Sequence, residues 1–273
     1  MSRIISIFSF FIFVLSSVFG YSYDIPANPT DKKGYSLVFS DEFDSNELDS
    51  SKWLDEYLPH ASDSVEGCKA RYNISDGVLD LMLTEDMPQY ACYTSMKVSS
   101  IQTIEKNNLH PGGRQMREVE EFNGFSVKYG YFEMRAKLPD CKGGGHIAWW
   151  LIGTQEEENQ DGEIDILENL LDSNNLFSPK IWHWHDNKLS DFRKDVKLPG
   201  NFDDTYHIYA MNWTPKGLTF YVDGIRIAHT KSSPDYEMGM LLGIYTGCDW
   251  DGTDNMVYPK TFSIDYIRVY QKN

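Results

Sequence analysis

The chain has 273 residues, 41% of them hydrophobic and 24% charged, which is enough for one large domain or two small ones around a packed core. Lysine and arginine total 25 against 41 aspartate and glutamate, a formal charge of −16 that repels phosphate backbones and anionic membrane surfaces and argues against nucleic acid as a partner. Aromatic side chains make up 14% of the chain, which suits either an aromatic-rich β core or a ligand surface built of rings.

At the N-terminus, Arg3 precedes an apolar run from Ile4 to Leu15, followed by Ser16, Ser17, Val18, Phe19 and Gly20. This pattern predicts a secretory signal over residues 1–20, cleaved near Gly20, and a secreted, extracellular mature chain. The run is too short to span a bilayer comfortably, and no later segment approaches the ~20 apolar residues that spanning needs, so a membrane-embedded protein is disfavoured. Outside the reducing cytosol, Cys68, Cys92, Cys141 and Cys248 allow two disulfides in three connectivities, and Cys68 with Cys92, close in sequence, is the favoured pair. A zinc site is the rival reading, but no Cys-x-x-Cys pair exists.

Along residues 21–273 the dominant pattern is alternation with period 2, which favours strands. Ser75–Leu83 alternates in this way, and Tyr131–Leu138 puts Phe132, Met134, Ala136 and Leu138 on one face and Tyr131, Glu133, Arg135 and Lys137 on the other. Gly217–Ala228 reads as two strands joined at Asp223-Gly224, a dipeptide that tolerates the positive φ of a tight hairpin turn. Phe262–Tyr270 closes the series. With no long amphipathic helix, linker or internal repeat, the chain reads as a single all-β sandwich domain.

The segment Asp161–Asn169 carries the functional argument. Alternation places the carboxylates of Glu163 and Asp165 on one face about 7 Å apart, then turns Glu168 to the other side. One extra residue in a β-bulge between Asp165 and Glu168 restores all three acids to a common face. Ile164, Ile166 and the preceding Ala148-Trp149-Trp150-Leu151-Ile152 run mark a covered central strand, where like charges are expensive unless they are used. Two carboxyls held about 5–5.5 Å apart are what retaining glycoside hydrolysis needs, one attacking the anomeric carbon and the other protonating the leaving oxygen. A third can hydrogen-bond the nucleophile and adjust its charge. A non-catalytic glucan-binding protein would share the aromatic surface but has little reason to keep three acids at this spacing.

The segment Gly162–Asn169, with Phe39–Asp44, Leu48–Trp53, Tyr129–Lys137 and Ile264–Tyr270, resembles glycoside hydrolase family 16 over most of the chain after residue 20. The resemblance implies a jelly-roll β-sandwich with a cleft on its concave sheet and endo-acting, retaining cleavage of a β-linked polysaccharide. It implies Glu163 as nucleophile, Asp165 as assisting carboxylate and Glu168 as acid/base. It also implies a structural calcium ion held by Glu42, the Gly77 carbonyl and Asp265, a set of oxygen ligands that suits Ca²⁺. No cofactor is expected in catalysis, and a monomer is the expected state.

Substrate contacts are read from side-chain chemistry. Trp149, Trp150, Trp182 and Trp184 are candidate platforms for sugar rings, whose C–H faces are apolar. Arg135 is a candidate from the polar face of its strand, and His183 and His185 from hydrogen bonding to hydroxyls or to the acids, with packing and metal ligation as the alternatives. Laminarinase-like members usually carry Trp-Pro-Ala before the catalytic strand, where this chain has His146-Ile147-Ala148. A β-1,3- or β-1,3-1,4-glucan is the leading substrate expectation and a galactan, keratan-type or mucin-type glycan the alternative.

Overall fold

The computed structural model describes residues 23–171, 173–203, 205–247 and 256–273; the signal segment expected over 1–20 and Cys248 lie outside them. In chain order the strands are β1 (Tyr35–Asp41), β2 (Tyr72–Ser75), β3 (Val78–Leu83), β4 (Lys97–Gln102), β5 (Ile104–Glu105), β6 (Phe122–Asn123) and β7 (Ser126–Val127). Then come β8 (Gly130–Lys137), β9 (His146–Gly153), β10 (Glu163–Leu170), β11 (Leu176–Phe177), β12 (Lys180–Trp182) and β13 (Phe192–Arg193). The last are β14 (Val196–Lys197), β15 (His207–Thr214), β16 (Gly217–Val222), β17 (Ile225–Thr230), β18 (Met238–Thr246) and β19 (Lys260–Lys272).

One sheet of eight strands runs β17-β16-β15-β8-β19-β3-β2, with β1 also paired to β19; the other, of seven, runs β13-β12-β10-β9-β18-β4, with β7 also on β18. The chain crosses between the sheets from β3 to β4, β7 to β8, β8 to β9, β13 by way of β14 to β15, β17 to β18 and β18 to β19. All strand pairs of both sheets are antiparallel, and the result is the expected jelly-roll sandwich. The hairpin between β16 and β17 turns at Asp223 and Gly224, with φ of 51° and 75°, as the sequence predicts. Asp76 and Gly77 make a similar turn that divides the Ser75–Leu83 run between β2 and β3.

Alternation explains the core. Phe132, Met134 and Ala136 of β8 point inward and meet Ile147, Trp149 and Leu151 of β9 and Met240, Leu242 and Ile244 of β18 between the sheets. The intervening Ala148, Trp150, Ile152, Leu241 and Tyr245 face away from that core, into a second apolar cluster roofed by Leu58, Ala61, Tyr90 and Leu109 from the loops. β9 and β18 are thus buried on both faces, which is why their sequences are almost continuously apolar.

The outer face of the eight-stranded sheet is crossed by the N-terminal segment. Ile25 N–H donates to the Tyr206 carbonyl at 2.8 Å, Arg135 Nε to the Ile25 carbonyl at 2.7 Å, and Asn28 Nδ2 to Glu133 at 3.0 Å. Arg135 also donates to Asp265 at 2.8 Å. Its assignment as a sugar-binding residue is therefore corrected: alternation fixes that Arg135 points away from the core, but its sheet is the one that does not carry the three acids.

The proposed Cys68–Cys92 disulfide is corrected as well, since both are free thiols. Cys68 is buried beside the Arg117 guanidinium at 3.2 Å, and burial pushes its thiol up to about 12, whereas Cys92 is exposed on a loop. Closeness in sequence does not by itself bring two thiols into the geometry that a disulfide requires.

Candidate active site

The three acids sit on β10, and the ladder to β9 shows how they come to share a face. Glu163 pairs with Ile152 and Asp165 with Trp150; the register then slips, so that Leu167 pairs with Trp149 and Glu168 with Ala148. Ile166 is the extra residue of a β-bulge. Because Ile152, Trp150 and Ala148 all belong to the outer cluster, Glu163, Asp165 and Glu168 all face outward, while Ile164 and Leu167 remain in the core. The bulge lies where the spacing of the acids demands it.

Each acid is largely buried, and each has different partners. Glu163 Oε2 accepts a hydrogen bond from Trp184 Nε1 at 2.8 Å and lies 3.3 Å from His110 Nε2. The Gly112 N–H donates to His110 Nδ1 at 3.1 Å, so the tautomer with hydrogen on Nε2 satisfies both contacts and makes His110 a donor to Glu163. Trp184 reaches its position with φ of 45°, a left-handed conformation that costs on the order of 1 kcal/mol for a non-glycine residue and turns the indole N–H onto the carboxylate. A Cβ on Gly112 would stand 3.0 Å from the Trp184 ring, so glycine there lets the His110 loop lie against the indole.

Asp165 lies between the other two acids in sequence and is paired across the ladders with Trp150 and Lys180. Burial and the adjacent Glu163 charge hold its carboxyl well above the usual carboxylate range, against the opposing pull of Lys180. Both effects favour the protonated form of Asp165, which can donate to Glu163. Glu168 Oε2 is ion-paired with Lys180 Nζ. From Glu168 a row of small side chains crosses the sheet, Ala148, Gly243 and Ser100, each paired with the next. On one side of the row His146 stacks on Tyr245, ring centroids 4.7 Å apart, and on the other stands Trp150, whose Nε1 donates to the Tyr245 hydroxyl at 3.4 Å.

The sequence candidates divide accordingly. Trp150 is on the acid face but only 4% exposed, lying beneath His110 with ring centroids 5.6 Å apart. Trp149 is corrected: it is 0% exposed in the inter-sheet core, because neighbours on a strand point to opposite faces. Trp182, paired with Glu163 and 39% exposed, offers the ring surface that the buried tryptophans do not. His183 bonds Asp191 at 2.7 Å and His185 bonds Asp161 at 2.6 Å; neither of these bonds is to the three acids. Among the described residues no group of three or more His, Cys, Asp or Glu side chains is placed to hold a metal. Sequence reasoning missed His110 and Lys180. His110 stands in a loop without periodicity, while Lys180 and Trp182 flank the core residue Ile181 in an alternation that could have placed both on the acid face.

Residues 95–268 match the model for glycosyl hydrolases family 16. The chain belongs to glycoside hydrolase family 16. Among solved structures, a GlcNAcα1-4Gal releasing endo-β-galactosidase from Clostridium perfringens is 40% identical with a TM-score of 0.87, over 92% of this chain and 65% of that one. A β-glucanase from Rhodothermus marinus is 26% identical over 95% of this chain and 93% of its own length. Glucan endo-1,3-beta-glucosidase A1 from Niallia circulans is also 26% identical, over 89% of this chain but only 39% of its own length.

The calcium set implied by the family 16 resemblance fits poorly here. Arg268 donates Nε and Nη2 to the two oxygens of Glu42, both at 2.7 Å, and Arg135 holds Asp265. Gly77 is close to Glu42, a Cβ on it falling 3.7 Å from the Glu42 carbonyl oxygen. The two carboxylates are already compensated by guanidinium groups, so they do not offer the free anionic oxygens that a calcium ion needs.

Proposed function

We propose that the chain is a retaining endo-glycosidase that cleaves β-galactosidic bonds inside galactose-containing glycans. The observation that carries the reaction is the bulge at Ile166, which turns Glu163, Asp165 and Glu168 to one face. In this reading Glu168 gives its proton to the glycosidic oxygen while the Glu163 carboxylate attacks the anomeric carbon, so the C–O bond to the leaving sugar breaks as an ester to Glu163 forms. Asp165, Trp184 and His110 donate to Glu163 and orient it. Esterification removes the charge of Glu163. Glu168 then takes a proton from water, whose oxygen attacks the anomeric carbon and releases Glu163. Export after removal of residues 1–20 and action as a monomer belong to the same proposal.

The sugar assignment is supported by the 40% identity to the endo-β-galactosidase and by His146-Ile147-Ala148 standing where laminarinase-like relatives usually carry Trp-Pro-Ala. The β-1,3- or mixed-linkage glucan reading, which the sequence puts first, is supported by the 26% identity to the Rhodothermus marinus β-glucanase over nearly the full length of both chains. The test is incubation with laminarin, mixed-linkage β-glucan, unsulfated galactan, keratan-type and mucin-type glycans, with products resolved by size and the anomer followed by proton NMR. Internal cleavage of galactose-containing chains with retained configuration is expected. Oligosaccharides from laminarin or mixed-linkage glucan alone overturn the sugar assignment, and an inverted product overturns the mechanism.

A further inference from the structure

Lysine is almost never fully buried unless paired, because taking an ammonium out of water is costly. Lys180 is nevertheless only 9% exposed, on β12 directly across from Asp165, with Nζ against the Glu168 carboxylate. Ile181 beside it belongs to the core, so alternation fixes Lys180 on the acid face. The charged groups facing it are Glu163, Asp165 and Glu168 from β10, Arg193 from the paired strand β13, and Asp195 beyond that strand. Arg193 and Asp195 satisfy each other at 2.8 Å. Burial and the Glu163 charge disfavour the ionised form of Asp165. That leaves Glu168 as the carboxylate in direct ion-pair contact with Lys180.

We infer that Lys180 is a positioning residue that biases Glu168 toward its ionised form and thereby sets the upper pH limit of the first catalytic step; the inference rests on the acid/base role proposed for Glu168. The first step needs a proton on Glu168, and an ammonium in contact favours the anion. The second step needs that anion as base, and the same contact assists it. Burial draws the Lys180 ammonium below the usual lysine range, and the acids around it oppose that shift.

The test compares pH profiles of kcat/KM for wild type, Lys180→Met, Lys180→Gln and Lys180→Arg on the polymeric substrate and on an aryl glycoside whose leaving group needs no protonation. On the polymer, Lys180→Met and Lys180→Gln are expected to move the basic limb up by about one pH unit, the lower end of the range for an opposite charge in contact. Lys180→Arg, which keeps the charge, is expected to leave the limb in place. On the aryl glycoside the neutral variants should change kcat/KM less than about twofold, whereas a merely structural role would lower both substrates alike. A basic limb unmoved in whichever neutral variant keeps the wild-type melting temperature overturns the inference. A Glu168→Gln variant that cleaves the polymer at the wild-type rate overturns the acid/base assignment instead.

Discussion

The two outer faces of the sandwich both carry carboxylates, and they handle them differently. On the eight-stranded sheet each acid has its own donors: Glu133 takes the Tyr266 hydroxyl at 2.9 Å and the Asn28 amide at 3.0 Å, Glu42 takes both arms of Arg268, and Asp265 takes Arg135. On the seven-stranded sheet three acids lie on one strand around a single bulge, with one lysine directly across from Asp165. Separate pairing stabilises a fold, because each charge keeps its partner. Crowding leaves protons that move at low cost, which is what acid–base chemistry requires.

The largest break in this contrast comes from neutralising the crowded face. Glu163→Gln and Glu168→Gln are each expected to reduce hydrolysis of an unactivated glycan by about 10²–10⁴-fold, with an unchanged or higher melting temperature, checked by initial rates and calorimetry. Wild-type rates in either variant would remove that residue from the mechanism.

Asp165→Asn should cost less activity, roughly tenfold, because the amide can still donate to Glu163. Its stability effect has a definite sign. The folded-state carboxyl of Asp165 lies well above the unfolded value of 3.8, so its stabilising contribution is complete below that value and is lost as pH rises through the folded one. The asparagine variant should therefore melt above wild type at neutral pH, with the gap closing toward pH 4. Equal melting curves at both pH values would show that Asp165 carries no such strain.

On the separately paired face the smallest functional effects are expected. Arg268→Met should leave the rate at 25 °C intact but lower stability by about 2 kcal/mol, or ~5 °C in melting temperature, because Glu42 loses its bidentate partner. A chelator should leave the melting temperature of the wild type where it is. A fall in chelator would show that a metal, and not only arginine, neutralises Glu42 and Asp265.

The contrast between the faces was only partly legible in the chain. Period-2 alternation located β8, β16, β17 and β19, and the spacing of Glu163, Asp165 and Glu168 required a bulge that the register contains. Alternation is a local property, so it could say that Arg135 points outward but not toward which outside, and that Trp149 and Trp150 oppose each other but not which is the inner. His110 reaches Glu163 across 53 residues of sequence from an aperiodic loop, and Cys68 and Cys92 were paired on sequence distance alone. Contacts of this kind depend on tertiary closure and leave no local period to read.

β19 has a consequence for how the domain is assembled. It pairs with β8 on one side, and with β3 and β1 elsewhere along its thirteen residues, so the eight-stranded sheet is continuous only through it. A chain emerging from its N-terminus has already released β10, with all three acids, while β8 and β3 still present open edges and β1 has no partner. Until β19 arrives, the layer behind β10 exists only as two paired fragments and the lone β1, and those unpaired edges are the places where a nascent chain is most exposed to pairing with another copy.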